Sequence, residues 1–344
     1  NLSVGTKPTA AETYIICVPT PITEEKSADL RYVVAAVESL LPHIREGNTV
    51  ILESTSPPGT TRDIIAPMLV AAGFRPGEDV FLAYCPERVL PGRILLEAVE
   101  NDRVIGGINR PSAERARDLY ATFVEGEIFL TDATTAEMTK LVENTFRDVN
   151  IALANELSLI CDEVGVDVWE LISLANRHPR VKILSPGPGV GGHCIAVDPW
   201  FLVEKHPATT RLIRAAREVN DAKPAWVVGK VRAAVAARTH SLRDGEILCM
   251  GLTYKPDVDD IRESPAHRIF EELRGEYGAA VTAHDPFVRD HDGDQRLLSA
   301  LKRASVVVIL VDHKLYRTMP AVSRGATVID LRPPGARASA APGR

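Results

Sequence analysis

Residues 133–164 read ATTAEMTKLVENTFRDVNIALANELSLICDEV, and the spacing of their apolar members decides how the rest of the chain divides. Met138, Leu141, Val142, Thr145, Val149, Ala152, Leu153, Leu157, Ile160 and Cys161 fall at intervals of three and four, which predicts one helix from Ala133 to about Val164. A second such stretch runs from about Thr210 to Arg238. Helices of about 30 residues are well above the globular mean and read as a spine between domains or as a dimer interface.

On either side of this spine, strand-like and helix-like segments alternate. Upstream they are a strand over Tyr14 to Val18, a helix over Leu30 to His43, a strand over Thr49 to Leu52 and a helix over Thr60 to Ala72. Strands over Val80 to Ala83 and Arg103 to Gly107, a helix over Ser112 to Phe123 and a strand over Ile128 to Leu130 follow. A short helix, Val168 to Asn176, lies between the two long ones. Downstream come strand Ile247 to Gly251, helix Pro265 to Arg274, strand Ala280 to His284, helix Gln295 to Lys302, and strands Val306 to Val311 and Thr327 to Leu331. Alternation of this kind means parallel sheets covered by helices. The expected fold is α/β, two Rossmann-like parallel-sheet domains joined by long central helices. No G-x-G-x-x-G opens the first α/β region and no acidic residue follows one about 20 residues on, so that domain is expected to be truncated, with its first βαβ missing and a sheet edge uncovered. The expected divisions are 1–131, 132–238 and 239–332, with a disordered Ala/Pro/Gly-rich tail over 333–344.

Length and composition bound the function. The 344 residues exceed one ordinary core, and 45% hydrophobic with 25% charged residues is the balance of a soluble globular protein. A net charge of −6 with dispersed Lys and Arg argues against nucleic acid as a partner. No apolar run reaches the roughly 18 residues that span a bilayer, and the first residues lack a signal-peptide core, so no membrane association and a cytoplasmic location are expected. Cys17, Cys85, Cys161, Cys194 and Cys249 are odd in number and far apart, which suggests neither a disulfide framework nor a metal site.

The chemistry concentrates in Gly187-Pro188-Gly189-Val190-Gly191-Gly192-His193-Cys194-Ile195-Ala196-Val197-Asp198-Pro199, a loop stripped of bulk that presents a thiol, an imidazole and a carboxylate. Cys194 reads either as a nucleophile or as an inert cysteine on a turn. On the first long helix Lys140 and Asn144 stand one turn apart with Arg147 one turn further, either as donors to a developing oxyanion or as a solvated face. Glu53-Ser54-Thr55 and Tyr84-Cys85-Pro86-Glu87-Arg88-Val89 follow predicted strands, where doubly wound sheets place ligands, although Glu87 alone would pass for a capping carboxylate. His178, Arg180, Arg214, Arg217, Lys255 and Arg262 are candidates for phosphate, or surface charges.

Taken together, Val18-Pro19-Thr20-Pro21, Glu53-Ser54-Thr55, Cys85-Pro86-Glu87-Arg88, the Lys140/Asn144 helix, Gly191-Gly192-His193-Cys194 with Asp198, and Gly251-Leu252-Thr253-Tyr254-Lys255-Pro256 through Arg262-Glu263-Ser264 resemble the UDP-glucose/GDP-mannose dehydrogenase family, in order and over essentially the whole chain. His193 and Val197 stand where members acting on UDP-glucose or GDP-mannose usually carry Ser and Lys, and with Asn176 to Val181 they resemble the branch acting on acetamido sugars. The resemblance implies NAD as cofactor and a four-electron oxidation, UDP-N-acetyl-D-mannosamine to its uronate, supplying a cell-surface polysaccharide precursor. It implies Cys194 as the nucleophile that passes from thiohemiacetal to thioester, Lys140 and Asn144 at the oxyanion, and Asp198 and Glu87 with Thr55 handling water. The UDP-sugar would be held by Arg88, Val89, Lys140, Asn144, Arg147, His178, Arg180, Gly191, Tyr254 and Lys255, with Arg217 and Asn220 beside them, and NAD by Thr20, Thr55 and Arg262. It further implies a homodimer through the central helices, in which His178 or Arg180 reaches the other subunit's site. Two alternatives stand: a dehydrogenase for UDP-GlcNAc or UDP-glucose, or a catalytically silent UDP-sugar-binding dimer whose truncated cofactor half cannot take up NAD.

Overall fold

The apolar runs at either end of the chain become two separate sheets, in a computed structural model that describes residues 2–89, 92–319 and 325–334. The chain partitions into one unit of Asn1–Thr145 with Val197–Arg211 and another of Phe146–Ala196 with Leu212–Arg344, so the division falls inside the long helix.

In the first unit, β1 (Thr13–Ile16), β2 (Thr49–Leu52), β3 (Phe81–Tyr84), β4 (Arg103–Gly107) and β5 (Ile128–Asp132) form one sheet in that order. Helix α1 (Arg31–Leu40) and α2 (Ala66–Ala71) bury Val33, Val37 and Leu69 against one face. Helix α4 (Arg110–Tyr120) buries Ala116 and Tyr120 against Ile51, Ala83 and Ile105 on the other. Both faces are therefore covered, which is why β2 is buried throughout. Helix α1 stops at Leu40, short of the expected His43: Leu41 keeps helical backbone and bonds the Val37 carbonyl, but Pro42 has no N–H to extend the ladder. The helix expected over residues 60–72 is split: Thr60–Ile65 form a wide π turn and α2 begins only beside Pro67, which has no N–H to donate.

One pairing departs from the parallel expectation, so that β4 and β5 run opposite to β1, β2 and β3. β4 runs antiparallel to β3, with Ala83 opposite Gly107 and Tyr84 opposite Gly106. Among the described residues, the connection from β3 contains only the seven-residue α3 (Ile94–Glu100), none of whose residues is buried, so no helix described there packs across the sheet to carry the chain back to its starting edge. Gly106 permits the crowding that follows, since a Cβ there would lie 2.3 Å from the Asp132 carbonyl oxygen. β1 lies at an end of the sheet, and its Ile15 is exposed.

Helix α5 (Ala133–Val164) leaves β5 without a break and matches the expected bounds. The second unit continues with α6 (Val168–Ala175) and, after α7 (Asp198–Lys205) of the first unit, with α8 (Arg211–Ala236). Its sheet is wholly parallel, in the order β7 (Val281–His284), β6 (Ile247–Met250), β8 (Val306–Ile309), β9 (Thr327–Asp330). Val227, Val228 and Val231 of α8 and Ile269, Phe270 and Leu273 of α9 (Pro265–Tyr277) fill one face. Leu297 and Leu301 of α10 (Asp294–Arg303) and Tyr316 of α11 (Lys314–Arg317) fill the other. The expected disordered tail lies outside the described residues from 335 onward. No helix among the described residues is long and apolar enough to cross a membrane.

Candidate active site

In the first unit the structure brings Lys140, Asn144 and Asp198 together. Lys140 and Asn144 project from one face of α5, and Asp198 opens α7 at 3% exposure. Asn144 Nδ2 donates to Asp198 Oδ2 at 2.5 Å. Burial pushes the Asp198 carboxyl from 3.8 up to about 6, and the Asn144 hydrogen bond and the Lys140 charge only partly oppose it. A carboxyl poised there exchanges protons near neutrality, the property an acid–base group needs. It also costs stability. Because the folded state holds the proton more tightly than the unfolded one, the penalty is complete above pH 6 and relieved as pH falls towards 4. The gap from 3.8 to about 6 is worth about 3 kcal/mol. Asp198→Asn is therefore expected to raise the unfolding free energy by about 1–3 kcal/mol at pH 7.5 and by little at pH 4. Urea unfolding of variant and parent at the two pH values checks this, and an equal loss at both would contradict it.

The segment after β3 is held by ion pairs. Arg88 donates to Glu143 Oε1 at 2.6 Å and to the Asp102 carbonyl at 2.5 Å, and its own N–H bonds Glu87 Oε1 at 2.6 Å. Glu87 also pairs with Arg103 at 3.6 Å and stays half exposed, open to water, and Val89 is half-buried beside it. The Tyr84 hydroxyl, buried at the end of β3, has no hydrogen-bond partner among the described residues. Burial, then Glu137 and Asp198, keeps that phenol neutral.

Thr20 and Thr55 follow adjacent parallel strands. Thr20 Oγ1 donates to the Thr55 carbonyl at 2.5 Å, and Val18 N–H donates to Ser54 Oγ at 2.8 Å, tying the two loops into one rim. Carboxyl ends of parallel strands are where a doubly wound sheet takes a nucleotide, so this rim fits part of an NAD site. Glu137 escaped the sequence reading. One turn before Lys140, it is fully buried and accepts from Gly59 N, Thr61 N and Thr61 Oγ1 at 2.6 to 2.8 Å, fixing the π turn to the helix that carries Lys140. The legible signal was Pro58-Gly59-Thr60-Thr61, a turn with N–H groups that need an acceptor.

In the second unit Cys194 is exposed at the end of the glycine loop. The glycines are sterically required. A Cβ on Gly191 would lie 2.4 Å from the Glu263 carbonyl oxygen, and Gly192, at φ +83°, would bring one to 3.0 Å from the Tyr254 ring. Tyr254 thus packs on the loop, and its phenol is raised by burial first, then by Asp260 and by the nearby Cys194. Lys255 Nζ sits 5.7 Å from the Tyr254 ring centroid. The spacing of Gly187, Gly189 and Gly192 matches G-x-G-x-x-G literally, but the stretch follows no strand and α7 starts only at Asp198, so it is no dinucleotide turn.

The remaining candidates divide. Arg147, His178 and Arg180 are exposed, the last two joined by an Arg180 N–H bond to His178 Nδ1 at 3.4 Å. Arg262 is exposed and paired with Asp260 at 2.8 Å. Arg217 and Asn220, by contrast, are both 1% exposed. Arg217 pairs with Asp148 at 2.6 Å and with Asp221, and Asn220 Nδ2 donates to Asp148 Oδ1 at 2.8 Å. These two side chains are occupied within the helix pair.

A thiol on a glycine loop, in a chain of two doubly covered α/β sheets, is the architecture of a nucleotide-sugar oxidoreductase, and comparison with known proteins agrees. Three models of the UDP-glucose/GDP-mannose dehydrogenase family match: the NAD binding domain over residues 1–124, the central domain over 134–222 and the UDP binding domain over 248–334. A UDP-N-acetyl-D-mannosamine dehydrogenase of Methanocaldococcus jannaschii is 51% identical over 321 residues, covering 92% of this chain and 72% of its own. An NDP-N-acetyl-D-galactosaminuronic acid dehydrogenase of Ralstonia solanacearum is 48% identical, covering 96% and 81%. The solved structure of a UDP-D-ManNAc dehydrogenase from Pyrococcus horikoshii superposes with a TM-score of 0.86 at 42% identity, covering 94% of this chain and 77% of that one. The chain belongs to the UDP-glucose/GDP-mannose dehydrogenase family, whose cofactor is NAD.

Proposed function

We propose that the protein oxidises the primary alcohol of a UDP-N-acetylhexosamine, UDP-N-acetyl-D-mannosamine first among them, to the carboxylate in two successive NAD-dependent steps. The observation that carries this reading is the exposed Cys194 thiol, set at the end of a loop whose glycines are dictated by Tyr254 and Glu263. NAD, when bound, accepts one hydride in each oxidation. Thr20, Thr55 and Arg262 would hold it. In the first step the alcohol loses its proton and a hydride to give the aldehyde. The Cys194 thiolate then forms a C–S bond to the aldehyde carbon, and Lys140 and Asn144 donate hydrogen bonds to the oxygen that becomes anionic. Loss of the second hydride leaves a thioester. Water attacks it, the C–S bond breaks, and carboxylate and thiol are released, with Glu87 taking the proton from water and Asp198 holding Asn144 in place.

Specificity is tested by a panel of UDP-sugars. UDP-N-acetylmannosamine is expected to give a kcat/KM at least about tenfold above UDP-glucose, roughly 1.4 kcal/mol of differential transition-state binding. The Ralstonia relative favours the galacto epimer as second reading, so UDP-N-acetylgalactosamine belongs in the panel. A preference for UDP-glucose would move the chain to another branch.

The working form on this reading is a homodimer. Phe146, Leu153 and Ile160 recur every seven residues on α5, exposed at 64%, 46% and 50%, with Val149 and Leu157 half-buried between them. Such a stripe suits a matching helix of a second copy. Light scattering is expected to give a dimer for the parent and a monomer for Leu153→Glu, whereas a monomeric parent would contradict the assignment.

A further inference from the structure

We infer that Asn155 is a positioning residue for the catalytic loop, the link through which the buried charges of the helix pair hold the segment that carries Cys194. The inference rests on the proposed role of Cys194. Asn155 lies on α5, fully buried, and uses both ends of its carboxamide. Its Nδ2 donates to Asn220 Oδ1 at 2.9 Å, and its Oδ1 accepts from the Gly187 backbone N–H at 2.8 Å. Asn220 is itself oriented by two donations from its Nδ2, to the Asp148 carboxylate at 2.8 Å and the Asp148 carbonyl at 3.1 Å. Arg217 donates to the same Asp148 carboxylate oxygen at 2.6 Å. The donations therefore run in one sense from Gly187 through Asn155 and Asn220 to Asp148, which accepts from Arg217 as well. Reversal of either amide would set donor against donor or acceptor against acceptor.

The far end of this chain is the first residue of the glycine loop. Gly187 and the residues after it form no helix or strand, so the loop's place depends on such ties and on packing. Packing alone does not suffice. Gly189, at φ +135°, faces the Asn220 carbonyl oxygen, which a Cβ would approach to 3.1 Å, and Gly191 faces Glu263 and Pro265. These contacts block sideways movement but set no register along the loop, whereas a hydrogen bond to a defined N–H does. Arg217 and Asn220, which the sequence suggested as substrate contacts, thus act on substrate through Asn155 and the loop. A misplacement of about 1 Å at a nucleophile costs on the order of a hundredfold in rate.

The test uses the full-length gene product. Asn155→Ala is expected to lower kcat by about ten- to a hundredfold while KM for the UDP-sugar changes by less than about threefold. Alkylation of Cys194 by iodoacetamide, which needs neither substrate nor cofactor, is expected to change rate at least about threefold in the same variant. Asn155→Asp keeps the acceptor for Gly187 but sets a carboxylate against Asn220 Oδ1. Its kcat relative to the parent is expected to recover as pH falls and the new carboxyl gains a proton to donate. If Asn155→Ala does not fold, Asn155→Asp carries the test alone through that pH profile. Unchanged kcat and alkylation in a folded variant, or a rise in KM alone, would overturn the inference. Cys194→Ser with full turnover would instead overturn the reading of Cys194, and leave the alkylation result to judge Asn155 separately.

Discussion

Replacing Cys194 by serine is expected to lower production of the uronate by at least about a thousandfold and to leave UDP-sugar affinity within about threefold. The thiol is needed twice. It must reach its anion near neutral pH to add to the aldehyde, and its acyl derivative must yield to water, and a hydroxyl does neither well. Binding is spared because Cys194 sits at the end of the loop, whereas Tyr254 packs on Gly192 and Lys255 neighbours its ring. Steady-state rates with product identified by mass spectrometry, beside calorimetric titration with UDP-sugar, check both halves. Full turnover to the uronate in the variant would remove Cys194 from the chemistry.

Arg217→Met is expected to cost about 3–5 kcal/mol of unfolding free energy at pH 8, among the largest effects any single change should have outside the catalytic groups. Arg217 is 1% exposed and its partner Asp148 is fully buried, so removing the guanidinium strands a carboxylate in the interior. Burial already raises the Asp148 carboxyl, and Arg217 is the principal group opposing that shift. Without it the folded-state value rises further above the unfolded one, so stability is lost as pH increases and the penalty shrinks as pH falls and the carboxyl takes up a proton. Adding Asp148→Asn is expected to recover a large part of the loss. Urea denaturation of the single and double variants at pH 5 and pH 8 measures this. A loss under about 1 kcal/mol together with a raised KM would make Arg217 a substrate contact instead.

The two largest features of the fold were legible because they rest on periodicity and on backbone chemistry. Helix α5 announced itself through apolar residues at three and four, and the loop at 187–194 through glycines that nothing but close packing requires. Strand direction was not legible at β4, since it depends on whether the seven residues of α3 cross the sheet, which their composition does not say. Helix α7 was missed for a different reason. Its Asp198 to Val203 are all buried, so no polar face interrupts the run to mark a helical period. The partners of polar residues are the least legible of all. Arg217 looks like a surface cation until Asp148, 69 residues away in sequence, is placed beside it, and Asn155 and Glu137 carry no apolar signal although both are fully buried. The pairing of Asn144 with Asp198 was not legible either, because the two are 54 residues apart in sequence.

The most direct measurement is the number of NADH formed per molecule of UDP-sugar acid when the full-length gene product is supplied with UDP-N-acetylmannosamine and excess NAD⁺. Two oxidations joined by a thioester on Cys194 require two NADH for each carboxylate, with no aldehyde released. One NADH per sugar with aldehyde in solution, or sugar bound with no NADH formed, would contradict the assignment.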